Sequence, residues 1–148
     1  MVIIKRILTT ISIFILLIPF FTIAGCFPSS EQDFIDFAEV AAEEFLTSIN
    51  NRDFEIFSKH LSHEMKGALP EEEFLRFATQ IEGIIGRYVA ESKKILKVEK
   101  QIEYIIVIYS TEYTKEPEGV IFTMTLQKVD GVIKIAGSWF DSSKLQGE

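Results

Sequence analysis

Four groupings of side chains in this chain of 148 residues could do chemistry. The first is a thiol: Cys26, the only cysteine, follows Ile23-Ala24-Gly25. Small residues at 24 and 25 let a processing enzyme approach the backbone, and a thiol is a nucleophile soft enough to form a stable thioether. The second is His60-Leu61-Ser62-His63-Glu64, in which two imidazoles and a carboxylate could share a helix face as a 2-His-1-carboxylate metal set. Its spacing matches neither H-E-x-x-H nor H-x-x-E-H, and it runs into Gly67, so solvated histidines on a surface turn are expected. Ser58 and Ser62 lie near those histidines, but no third group is placed to orient either pair, which argues against a serine nucleophile. Last come Glu112 and Asp141, near the ends of predicted strands, where a proton-moving acid would have to reach a pocket mouth. No G-x-S-x-G, phosphate-cradling glycine loop or calcium loop occurs. No catalytic residue, metal site or cofactor is assigned.

The element that positions Cys26 is an apolar leader. Lys5 and Arg6 precede the run Ile7 to Phe21, whose polar side chains are Thr9, Thr10 and Ser12. A positive start, an apolar middle and small residues before a cut site read as a secretory signal. Ile23-Ala24-Gly25-Cys26 resembles the lipobox of bacterial lipoproteins. That resemblance implies that the thiol receives a diacylglycerol, that residues 1–25 are removed, and that Cys26 becomes the first residue of the mature chain. Two acyl chains hold firmly where one is marginal, at ~0.8 kcal/mol per buried methylene. The alternative is an uncleaved transmembrane anchor, since Ile7 to Gly25 approaches the ~20 residues of a spanning helix. Both place the domain outside the cytoplasm, tethered to a membrane.

Without residues 1–25 the chain has 123 residues, one domain by length, with 13 basic and 22 acidic side chains. A net charge of −9 repels nucleic acid and anionic headgroups, so no nucleic-acid partner is expected. A single cysteine leaves no disulfide to staple an exported fold, which must rest on its hydrophobic core.

Residues 26–30 form a short tether, and residues 31–148 the domain. Ser30, with Asp33 three residues on, can cap a first helix. Phe34, Phe37, Ala38, Ala41, Phe45 and Ile49 form its buried stripe, and Asp36, Glu39 and Glu43 its solvated face. Asp53 can cap a second, short helix burying Phe54, Phe57 and Leu61. A third starts at Leu69-Pro70-Glu71, with Phe74, Phe77, Ala78 and Ile81 inward. From Arg87 the period changes. Tyr88 to Lys100 reads as a strand whose Lys93, Lys94, Lys97 and Lys100 guard an edge. Glu103 to Tyr113 reads as a second strand, apolar on both faces from Tyr104 to Tyr109. Glu116-Pro117-Glu118-Gly119 reads as a turn. Val120, Phe122, Met124 and Leu126 then alternate with polar neighbours. Asp130-Gly131 marks a hairpin into Val132–Phe140, with Ile133, Ile135, Gly137 and Trp139 inward.

Helices followed by an antiparallel meander predict an α+β domain: N-terminal helices packed on a curved antiparallel sheet of about four strands, preceded by an apolar signal or anchor helix. The order resembles the cystatin-like cone of the nuclear transport factor 2-like superfamily. Within it, the chain looks like a family of small uncharacterised domains in bacterial and archaeal secreted proteins. The resemblance covers most of residues 38–140. It is carried by Ala42-Glu43-Glu44-Phe45-Leu46, Asn50-Asn51-Arg52-Asp53-Phe54, Leu69-Pro70-Glu71, Ile84-Ile85-Gly86 and Ile135-Ala136-Gly137-Ser138-Trp139. It implies an apolar pocket between sheet and helices, used by some relatives for isomerisation or dehydration, by others for ligands or proteins. Tyr88, Tyr104, Phe122 and Trp139 could line such a pocket, although core packing explains them equally well. The doubly apolar Tyr104–Tyr109 strand needs cover on its second face, either from a homodimer partner or from the curved sheet itself.

The expected protein is an extracytoplasmic, lipid-anchored lipoprotein of the cell envelope. Its domain is expected to be non-catalytic, binding a small apolar ligand or an envelope protein partner. The alternatives are an isomerase or dehydratase acting in the cone, or an uncleaved, signal-anchored subunit of an envelope assembly.

Overall fold

The computed structural model describes residues 30–147. The leader, Cys26 and the tether up to Ser29 lie outside the described residues. Among the described residues no helix is long and apolar enough to cross a membrane.

Helix α1 (Glu31–Asn51) starts where its sequence says it should. The Asp33 amide donates to Ser30 Oγ at 3.2 Å, and the Ser30 amide donates to Asp33 Oδ2 at 2.6 Å. This reciprocal box satisfies two of the helix's free N–H groups. The helix ends at Arg52, whose left-handed backbone (φ 54°) turns the chain into α2 (Phe54–Ser58). Asp53 caps α2 through the Ile56 amide at 3.0 Å. Helix α3 (His63–Ala68), capped by Ser62, stands where a surface turn is expected from Gly67. Helix α4 (Glu71–Ile84) follows Pro70, which sits at the cap rather than the first helical position.

The sheet is a meander, β1 (Lys94–Lys100), β2 (Tyr104–Tyr113), β3 (Glu116–Val129) and β4 (Val132–Asp141), antiparallel throughout and ordered β1-β2-β3-β4. A last turn of helix, α5 (Ser143–Gln146), closes the described chain. The result is an α+β domain with helices on one face of a curved four-stranded sheet. Its core joins Ala38, Ala41, Phe45 and Leu46 of α1 to Phe57, Phe74 and the inward residues Val107, Tyr109, Phe122, Met124 and Leu126. Phe57 and Phe74 sit 4.3 Å apart between ring centroids, and Phe45 stacks on Phe122 at 5.4 Å, so aromatics tie both layers together.

Three features of the sheet differ from the sequence reading. The first strand begins at Lys94, not Tyr88. Tyr88 makes only a bridge to Tyr113, and Glu91 takes a left-handed φ of 61° that breaks extension between them. The second difference is the turn, which falls at Thr114-Lys115 because Tyr113 pairs with Glu116. Pro117, Glu118 and Gly119 are absorbed into β3 as a bulge between Thr111↔Val120 and Tyr113↔Glu116, with Gly119 at φ 89°. The third is in β4: Leu126 pairs with Ile135 but Thr125 pairs with Gly137, leaving Ala136 as an extra residue. That bulge exchanges the strand's two faces. Ile133 and Ile135 point to the helices as expected, but beyond the bulge Ser138 and Phe140 do so, opposite the buried Met124 and Phe122. Trp139 is turned outward beside Thr123 and is 69 % exposed.

Candidate functional site

A cavity of about 410 Å³ opens at the β4 side of the helical layer. Three elements wall it: α3 with Met65, α4 with Phe77, Gln80 and Ile81, and β4 with Ser138, Trp139 and Phe140. Leu145 of α5 covers one side, and the floor is Phe45 and Phe57, both buried. Phe140 is held there by Phe122 at 4.9 Å and Phe77 at 5.9 Å. The bulge at Ala136 is therefore what supplies the wall, since without it Phe140 would face the other way. Among the described residues lining this space none is ionisable. Gln80 offers an amide and Ser138 a hydroxyl, enough to orient an uncharged ligand but not to move a proton at neutral pH. Size and lining fall in the range of small-molecule sites, which are apolar with a few polar tips.

The four aromatics named as lining candidates do not converge. Phe122 is core, packed between Phe45 and Tyr109. Tyr104 lies on the open face of the sheet with Ile106 and Ile108. Trp139 reaches the cavity from the rim.

Tyr88 is buried elsewhere, in a polar anchor between α1 and the start of the sheet. Its hydroxyl donates to Glu43 Oε2 at 2.9 Å and accepts from the Lys93 amide at 3.3 Å. Its backbone carbonyl accepts from Asn50 Nδ2 at 2.8 Å, and its amide donates to Asn50 Oδ1 at 2.9 Å. Burial, and then the neighbouring Glu43 carboxylate, push the Tyr88 phenol well above its ordinary range. Burial does the same at Tyr109 and Tyr113. Glu43, expected on a solvated face, is thus a structural acceptor. Lys93, expected at a strand edge, reaches back to Glu39 at 3.3 Å.

The histidines separate. His60 is half-buried, its Nε2 2.7 Å from Glu44 Oε2, and it stacks edge-on against Phe37 at 5.2 Å. Solvated histidines are therefore a correct description only of His63, which is exposed. The hydrogen bond from Lys59 to Glu44, with His60 adding to it, holds the Glu44 carboxyl below its ordinary value despite partial burial. Among the described residues no group of three His, Cys, Asp or Glu side chains is placed to hold a metal. Glu112 and Asp141 are exposed, and neither lines the cavity. Sequence reasoning missed Gln80 and Phe140: the first reads as an ordinary surface position on α4, the second sits one residue out of phase until the bulge is known.

Helices packed on one face of a curved antiparallel sheet, around an apolar cavity, define a small α+β domain with a ligand-sized recess. The chain belongs to the family described as protein of unknown function DUF3887, whose model matches residues 42–137. No curated protein matches the chain. Similar solved structures include a de novo designed protein with a curved β-sheet, 14 % identical, covering 71 % of this chain and 99 % of that one, with a TM-score of 0.43. Another is a protein from Kribbella flavida DSM 17836 described as of known function, 18 % identical, covering 73 % of this chain and 89 % of that one, with a TM-score of 0.40.

Proposed function

We propose that this protein is a lipoprotein of the cell envelope, held at the membrane by lipid on Cys26. In this reading its domain, of the nuclear transport factor 2-like type, binds a small, uncharged, apolar molecule in the cavity beside β4. The observation that carries the ligand reading is an aromatic cavity of about 410 Å³ without an ionisable lining side chain among the described residues. An acid–base isomerase or dehydratase needs such a group at its reacting centre, so the same observation weighs against the enzyme alternative. The anchor reading is supported by the run Ile7 to Phe21 and by Ile23-Ala24-Gly25-Cys26.

A photoreactive, uncharged alkyl diazirine applied to the full chain in host membranes tests the cavity. Cross-links should map to Phe77–Ile81 and Ser138–Phe140. Ala68→Trp, which fills the cavity from α3, should remove most of them. Cross-links scattered over the surface, or unchanged in Ala68→Trp, would overturn the reading.

A second reading, an envelope partner or a second copy on the open sheet face, is favoured by a specific feature. Ile106, Ile108 and Ile121 lie half-exposed there beside the exposed Trp139. Chemical cross-linking in membranes that yields a dimer sensitive to Ile108→Glu would support it over a solitary binder.

A further inference from the structure

The end of the molecule where α1 begins carries an unusual pair of hairpin tips. Ile102, between β1 and β2, is entirely in solvent at 103 % relative exposure. Val129 and Val132 flank the β3–β4 turn at 39 % and 54 %. In an antiparallel meander these two turns share one end of the sheet, and their hairpins are neighbours through the β2–β3 pair, so the tips stand two strand spacings, about 10 Å, apart. The first turn of α1 is at the same end: Phe34 shares a cleft of about 340 Å³ with Ile102, Tyr104 and Lys128. The other end of α1 lies by the β2–β3 turn, where Asn50 holds Tyr88 and Tyr88 bridges to Tyr113.

The position of Ser30 gives these tips an occupant. The 29 residues before it include the apolar run Ile7 to Phe21, and Cys26 precedes it by four residues. Four residues span at most about 14 Å. Lipid on Cys26 at a bilayer therefore holds this end of the domain close to its surface.

We propose that Ile102, Val129 and Val132 form a second membrane contact, entering the headgroup region and fixing the domain with its sheet end toward the lipid. The proposal rests on the anchor reading above. The surrounding charge is mixed, Lys100, Lys128 and Lys134 against Glu103, Asp130, Glu31 and Asp33. The contact is thus apolar rather than electrostatic, and its lipid is zwitterionic.

The test uses the full, processed chain in phosphatidylcholine vesicles, with one new cysteine at Ile102→Cys, Val132→Cys or Thr114→Cys carrying a polarity-sensitive fluorophore. Shallow brominated lipid should quench the probe at 102 and at 132 several-fold more than the probe at 114, on the opposite turn. Equal quenching at the three sites, with the chain still held by the vesicles, would overturn the contact while leaving the anchor standing. Shielding of the 102 probe that follows protein density rather than quencher would assign the tips to a second copy and overturn it too. Fluorophore taken up by the wild-type chain would show a bare Cys26 thiol, removing the lipid anchor and the contact that depends on it.

Discussion

The Tyr88 and Tyr113 rings lie tilted against each other, 5.8 Å between centroids, yet they should respond oppositely to losing a hydroxyl. Tyr88 Oη donates to a carboxylate and accepts from an amide, so Tyr88→Phe should cost about 1–2 kcal/mol in urea unfolding. The Tyr113 hydroxyl is buried without a hydrogen-bond partner among the described residues, so Tyr113→Phe should leave stability unchanged or raise it by up to about 1 kcal/mol. Their pH dependence has one sign. Burial raises both phenols above the ordinary value of 10.0, so the unfolded chain releases these protons first. The stability they contribute is complete below about pH 10 and is lost as pH rises, by up to ~1.4 kcal/mol per pH unit per phenol. Tyr113→Phe should flatten that alkaline decline, and an unaltered slope would contradict the burial assigned here. None of this was legible in the sequence. Tyr88 was a plausible cavity wall there, because the Glu43 and Asn50 that claim it lie 45 and 38 residues away.

Whether an element could be read depended on whether its period stayed unbroken. In β3 the alternation from Val120 to Leu126 is unbroken, and all four of Val120, Phe122, Met124 and Leu126 are fully buried. Helix α1 was equally clear, from its Ser30–Asp33 box to its buried stripe. Strand β4 misled because a bulge leaves no reliable trace in composition: Ala136-Gly137 marks it only in hindsight. Helix α3 was missed because six residues give no period to count, and Gly67 inside it reads as a breaker. The frame shift in β4 gives a sharp test. Trp139→Ala should change stability by less than about 1 kcal/mol, whereas Phe140→Ala, wedged between Phe77 and Phe122, should cost about 2 kcal/mol or more. A larger cost for Trp139→Ala than for Phe140→Ala would mean that the strand keeps its unbulged frame.

For the molecule as a whole, one cysteine in 148 residues rules out an internal disulfide. Thermal unfolding of the full chain should therefore be the same with and without reductant, and a shift in midpoint on adding dithiothreitol would point to a Cys26–Cys26 bond between chains. Charge and cysteine count were legible from the start. The placement of the cavity was not, since it needs α3, α4, α5 and the displaced half of β4 together. Under the anchor and ligand reading proposed above, that placement has a consequence for traffic. The recess lies toward the β2–β3 end, where Lys115 Nζ donates to the carbonyls of Glu82 and Gly83 at the close of α4, whereas Ser30 leaves the domain at the other. Cargo could not slide sideways out of the lipid into such a recess. It would arrive through water, and its rate of exchange would follow its aqueous solubility rather than the fluidity of the bilayer below.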